Sequence, residues 1–83
     1  MDEAALRATV VTLLQKIAPE LDPATLDAAL PLREQVDLDS MDFLNFLVAI
    51  EKRLQVAIPE SDYEQLRTLD DLVRYLGARQ PTP

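Results

Sequence analysis

The sequence predicts a small all-α fold: a bundle of three main helices plus one short helix, with a long first loop. Two observations carry this. Apolar residues recur at helical spacing in three stretches, near residues 3–18, 40–54 and 69–76. The period-two alternation that a strand requires is hinted at only over residues 54–58. No internal repeat is visible, and one domain over residues 1–78 with a flexible tail over 79–83 is expected.

Over residues 3–18, Leu6, Val10, Leu13, Leu14 and Ile17 form one apolar face, and Asp2 and Glu3 suit the positive N-terminal end. Pro19 ends this helix, because the residue before a proline is pushed out of helical geometry. Residues 19–39 form the long connection. Asp22-Pro23 reads as a cap followed by proline at the first helical position, so a short turn or one-turn helix over 23–29 is expected, with a second near Leu32 to Gln35. A loop this long in a small domain is functional or tied down, and Leu26, Leu30, Leu32, Val36 and Leu38 supply the ties.

The stretch from Ser40 to Leu54 contains neither Gly nor Pro. At roughly 100° per residue, Phe43, Phe46, Leu47, Ile50 and Leu54 share the side that must face a core. Met41, Leu44 and Val48 form a second stripe, which in so small a protein is either buried too or offered to a partner. Asp39 is a good N-cap and Asp42 then takes the third helical position, a carboxylate version of the capping box. On that assignment Ser40 is the first helical residue, and its hydroxyl is not used as the cap.

Beyond this helix, Gln55 to Pro59 reads as extended, with Ile58 turned inward. Ser61 with Glu64, and Thr68 with Asp71, read as capping boxes opening a short helix over about 62–66 and a last helix over about 69–76. Leu69, Leu72, Val73 and Leu76 form the last apolar face. Gly77, the one glycine in the chain, stands where a helix C-cap wants one. Tyr63 and Tyr75 read as core-edge residues.

Composition narrows the function classes. Cysteine and histidine are both absent, so the usual nucleophile–base pairs and any His- or Cys-ligated zinc site cannot be built. The net charge of −7 and the scattered basic residues argue against nucleic acid. Met1-Asp2-Glu3 lacks the features of a secretory signal, and no stretch approaches a membrane span, so a cytoplasmic protein is expected. No paired carboxylate site is visible, so catalysis is not expected.

A helical bundle with a long first loop, Asp39-Ser40-Met41-Asp42 at the start of the apolar helix, Phe46, Ile50 and Leu54 within it, Ile58-Pro59 after it, and Thr68-Leu69-Asp70-Asp71-Leu72 before Tyr75-Leu76 resembles an acyl carrier protein. The resemblance covers nearly the whole chain. It implies that Ser40 carries 4′-phosphopantetheine, transferred from coenzyme A by a separate Mg²⁺-dependent phosphopantetheinyl transferase and attached through a phosphodiester. The arm brings the thiol that the chain lacks and holds a carboxylic acid as a thioester. The implied protein is a free-standing, monomeric carrier that catalyses nothing and presents acyl groups to synthases, ligases or transferases of fatty-acid or polyketide biosynthesis. By position, Asp39, Asp42 and Glu51 fit the acidic part of a partner-docking face, and Met41, Leu44 and Val48 the apolar part.

Three departures from the family pattern bear on pathway. Asn45, Lys52 and Arg53 occupy positions that are often acidic in fatty-acid carriers, which makes the helix near neutral. Asp37 stands where glycine often precedes the Asp-Ser pair; Asp adopts the left-handed conformation better than most residues. Phe43 is bulkier than the small residue often found on the face lining the acyl pocket, and is expected to narrow or reshape it. Together these tilt the reading toward a specialised or secondary pathway. Two alternatives stay open: an aminoacyl or peptidyl carrier, and a bundle without a prosthetic group that docks through Met41, Leu44 and Val48.

Overall fold

The computed structural model describes residues 2–79. Its helices are α1 (Glu3–Ile17), α2 (Leu32–Gln35), α3 (Ser40–Leu54) and α4 (Leu69–Arg79), with 3₁₀ segments at Pro23–Thr25 and Glu60–Gln65. There is no strand among the described residues, only an isolated antiparallel bridge between Pro31 and Thr68. The long helices α1, α3 and α4 are the three main helices expected.

The Asp2 carboxylate caps α1 by accepting the Ala5 N–H at 2.8 Å. The helix stops at Ala18, immediately before Pro19. Leu6, Val10, Leu13 and Leu14 are buried, and α1 packs against both α3 and α4. From α3, Phe46, Leu47 and Ile50 are fully buried and Leu54 nearly so. Each such side chain contributes about 1.5–3 kcal/mol through burial, so the inward face of α3 fixes how this helix is rotated.

The long connection is tied down in a way the sequence does not announce. The Gln35 side chain accepts the Asp27 N–H at 2.7 Å and donates to the carbonyls of Asp27 at 2.7 Å and Leu30 at 3.0 Å. The Ala28 carbonyl accepts from the Asp70 N–H at 3.1 Å. These partners satisfy residues 27–30 outside a helix, so the turn begun by Asp22 and Pro23 covers only Pro23–Thr25 and does not reach residue 29. Leu32, Val36 and Leu38 are buried as expected of ties, and Leu26 is half-buried. Leu30 is not a tie: it is 50% exposed, because the Gln35 bond holds its backbone at the rim.

Gln55 is not extended; it is the left-handed C-cap of α3, at φ 55° and ψ 47°. The extended run begins at Val56, and Val56 and Ile58 both insert into the core. Ser61 does not cap a helix. The turn starts at Pro59, whose carbonyl accepts the Asp62 N–H at 2.9 Å, and it winds as a 3₁₀ segment with no side-chain cap.

The Thr68–Asp71 box does form: the Asp71 N–H donates to Thr68 Oγ1 at 2.9 Å and the Thr68 N–H to Asp71 Oδ2 at 3.3 Å. Gly77 is not a C-cap. It lies inside α4, where an added Cβ would meet Leu6 Cδ1 at 3.7 Å, an ordinary contact. The helix runs on to Arg79 because that side chain has a use: its guanidinium pairs with Asp62 at 3.3 Å and lies 3.9 Å from the Tyr75 ring centroid. Of the tail expected over 79–83, Arg79 is helical and residues 80–83 lie outside the described residues.

Candidate functional site

The site is the junction of the long connection with α3. Asp39 is extended, and its carboxylate accepts the Asp42 N–H at 2.8 Å while its carbonyl accepts the Phe43 N–H at 3.0 Å. The cap is therefore fully occupied by Asp39, as the sequence indicates. Ser40, one residue on, opens the helix with an exposed side chain. Its hydroxyl has no hydrogen-bond partner among the described residues. Asp37 enters the turn without a left-handed backbone; among the described residues outside glycine, Gln55 alone has a positive φ. Losing glycine before the Asp-Ser pair thus costs no strain here.

Beside Ser40 runs the stripe singled out in the sequence. Met41 is 63% exposed, Leu44 38% and Val48 36%. Their exposure contrasts with the complete burial of Phe46, Leu47 and Ile50 on the same helix. Asp39 is exposed, whereas Asp42 and Glu51 are half-buried. Burial pushes the Tyr63 hydroxyl, on the neighbouring 3₁₀ segment, above its ordinary pKa, and Glu51 and then Glu60 add to this.

An open cleft of about 810 Å³ lies between α2, the start of α3 and the 3₁₀ segment at Glu60–Gln65. Phe43 forms part of its wall, with its ring 6.2 Å from that of Phe46 and tilted by 53°. The sequence reading placed Phe43 on the core-facing side; it is half-buried, at the border of core and cleft. Sequence reasoning missed Arg33 and Arg67, which line the same cleft. They stand 34 positions apart (67 − 33) and only the tertiary fold brings them together. A further cluster, Asp62, Tyr75 and Arg79, joins the 3₁₀ segment to the end of α4, with the Tyr75 hydroxyl donating to Asp62 Oδ2 at 2.6 Å. It is a structural clasp.

Residues 5–76 match the model of a family described as the phosphopantetheine attachment site. The chain belongs to the acyl carrier protein family. It is 36% identical over 47 residues to the acyl carrier protein of Chlamydia muridarum, a match covering 57% of this chain and 61% of that protein. The similarity to the acyl carrier protein of Helicobacter hepaticus is 28% over 76 residues and covers 92% and 93% of the two chains. In three dimensions it resembles a solution structure assigned as an acyl carrier protein from Anaplasma phagocytophilum, with TM-score 0.78, 26% identity, and 88% and 85% of the chains covered. The aligned segment thus spans about 61% of the length of the chlamydial relative.

The prosthetic group of this family is 4′-phosphopantetheine, bound covalently. The residues at the start of α3 fit it. An acceptor hydroxyl must be reachable by a transferase and free of competing bonds, and Ser40 meets both conditions. The positive end of a 15-residue helix favours a phosphodiester there, although Asp39 and Asp42 offset part of that field. No helix among the described residues is long and apolar enough to cross a membrane.

Proposed function

We propose that Ser40 is the attachment point of 4′-phosphopantetheine and that this protein holds acyl intermediates as thioesters and presents them to partner enzymes. The observation that supports this most is the division of labour at the start of α3: Asp39 does the capping, and Ser40 is left exposed and unbonded. The new bond would join Ser40 Oγ to the phosphorus of the pantetheine phosphate as the pyrophosphate bond of coenzyme A breaks under a phosphopantetheinyl transferase; the hydroxyl gives up its proton and 3′,5′-adenosine diphosphate leaves. The group supplies the thiol. The chain's own residues hold Ser40 in a fixed frame and position the cargo for successive enzymes.

Docking is assigned to Met41, Leu44 and Val48, flanked by Asp39, Asp42 and Glu51. The exposure of that stripe on a helix otherwise well buried supports the assignment. The near neutrality of α3, where Asp42 and Glu51 are balanced by Lys52 and Arg53, supports partners of a specialised or secondary pathway over those of bulk fatty-acid synthesis. Phe43 narrows the entrance to the cleft. The proposed location is the cytoplasm and the proposed state a monomer.

The test is intact mass before and after incubation with coenzyme A, Mg²⁺ and a permissive phosphopantetheinyl transferase. The expected result is a gain of one phosphopantetheine that is lost in Ser40→Ala. A folded, initially unmodified protein that gains nothing would instead support a prosthetic-group-free module that docks through the same stripe.

A further inference from the structure

We infer that the last turn of α3, with Lys16 of α1, is the cationic half of a two-signed docking face. It fits a partner enzyme that presents carboxylates about 18 Å along α3 from Ser40, and it turns away one whose docking groove is cationic throughout. This deepens the carrier reading and rests on it.

At roughly 100° per residue, Met41, Asn45, Val48 and Lys52 fall within about 60° of one another on α3, and all four are exposed. Lys52 therefore continues the apolar stripe at its far end. Twelve positions separate it from Ser40 (52 − 40), which at about 1.5 Å per residue makes about 18 Å. The negative end of α3 favours a cation anywhere in its last turn but does not choose the side; Lys52 takes the side of the stripe.

Arg53 follows about 100° round the helix. With Lys16 it lines an open groove of about 200 Å³ between α1 and α3, and none of the residues lining that groove is acidic. Lys16 and Arg53 stand 37 positions apart (53 − 16), so basic residues that read as scattered in the sequence are partly gathered by the fold. Arg74 and Arg79 pair with Asp71 and Asp62. Lys16, Lys52 and Arg53 are instead exposed, and they enter no ion pair or side-chain hydrogen bond among the described residues.

At the other end of the stripe the sign reverses. Asp39 is exposed and Asp42 half-buried, next to Ser40. Glu51, half-buried and about 100° back from Lys52, is the one carboxylate of the last turn and is outweighed by the two cations. A groove of lysines and arginines would thus meet attraction near Ser40 and repulsion at Lys52. Like charges brought face to face at an interface reject a partner. Carboxylates at that end would pair with Lys52 and, on the α1 side, with Arg53 and Lys16.

The probe is a phosphopantetheinyl transferase whose carrier-docking groove is lined by Lys and Arg, with the full chain as its substrate and mass gain as the readout. Changing Lys52→Glu and Arg53→Glu together is expected to lower KM about tenfold at low salt, with the advantage gone near 1 M salt, where screening reaches about 3 Å. Arg7→Glu with Arg74→Glu makes the same change of net charge elsewhere and is expected to alter KM no more than about twofold. The second arm needs no change in the carrier. In the transferase, the groove cations farthest from its active site are changed to Glu; the wild-type chain is then expected to gain the tenfold and the Lys52→Glu, Arg53→Glu form to lose it. An unchanged KM in either arm, an equal effect from the control pair, or an advantage that persists near 1 M salt would overturn the assignment. No mass gain in any form of the chain would overturn the carrier reading itself, a result distinct from modification at an unaltered KM.

Discussion

The Asp39 carboxylate receives the Asp42 N–H at 2.8 Å, and this one bond assigns capping to Asp39 and leaves the hydroxyl of Ser40 unengaged. Without it, Ser40 is the nearest side chain able to cap the first turn, and a capping hydroxyl is a poorer acceptor for modification. Replacing Asp39 with Ala should therefore lower stability by about 1 kcal/mol and slow phosphopantetheine transfer as well. Urea unfolding and the initial rate of mass gain report the two effects separately. An unchanged transfer rate in the destabilised variant would show that the cap does not govern the acceptor.

Leu44 and Val48 are the converse of the buried face of α3. Because each is more than a third exposed, Leu44→Ser should alter stability by no more than about 0.5 kcal/mol. If the stripe is a docking face, the same change should raise the KM of the transferase about tenfold, equivalent to ~1.4 kcal/mol of lost contact. Steady-state kinetics decide this. A tenfold effect on KM from Leu30→Ser, whose side chain is also exposed but lies on the long connection, would point to another surface.

Tyr75 links the end of α4 to the 3₁₀ segment, and its titration gives stability an alkaline limit. Burial raises its pKa above the ordinary value of 10.0, the hydrogen bond to Asp62 raises it further, and Arg79 opposes both. A folded-state pKa above the unfolded one means that the stabilisation is fully present below pH 10.0 and is lost as pH climbs through the raised value. Tyr75→Phe should cost about 1 kcal/mol at neutral pH, from the lost hydrogen bond, and should flatten the fall in stability above the unfolded pKa. Tyr63, whose pKa is also raised, keeps part of that fall in place. Melting temperatures across the alkaline range check the slope; a slope identical to that of the parent would assign the limit elsewhere.

Gln55 closes α3 with a left-handed backbone at φ 55°. A side chain in that region carries a cost of roughly 1–2 kcal/mol that glycine avoids, partly offset by the greater freedom of glycine in the unfolded chain. Gln55→Gly should raise stability by about 0.5–1 kcal/mol and the melting temperature by a few degrees. A calorimetric scan tests it, and a lower melting temperature would mean that the Gln55 side chain has a stabilising role that outweighs the strain.

How much of this was legible in the chain depends on the range of the interaction concerned. The sequence by itself determined the three long helices, because helical periodicity, the proline after Ala18, the acidic start at Asp2 and Glu3, and the caps at Asp39 and Thr68 act within a few residues of one another. It also determined the place of Ser40, since a cap and a first helical position are local relationships. Only the tertiary structure decided matters that depend on distant partners. Gln35 draws residues 27–30 away from the helix that local signals suggest. Arg79, held by Asp62 and Tyr75, carries α4 past the glycine that would otherwise end it. Arg33 and Arg67 line one cleft, and nothing in their spacing announces it. In each case a contact between residues far apart in sequence outweighs a local preference of about 1 kcal/mol, a difference that no short window of sequence contains.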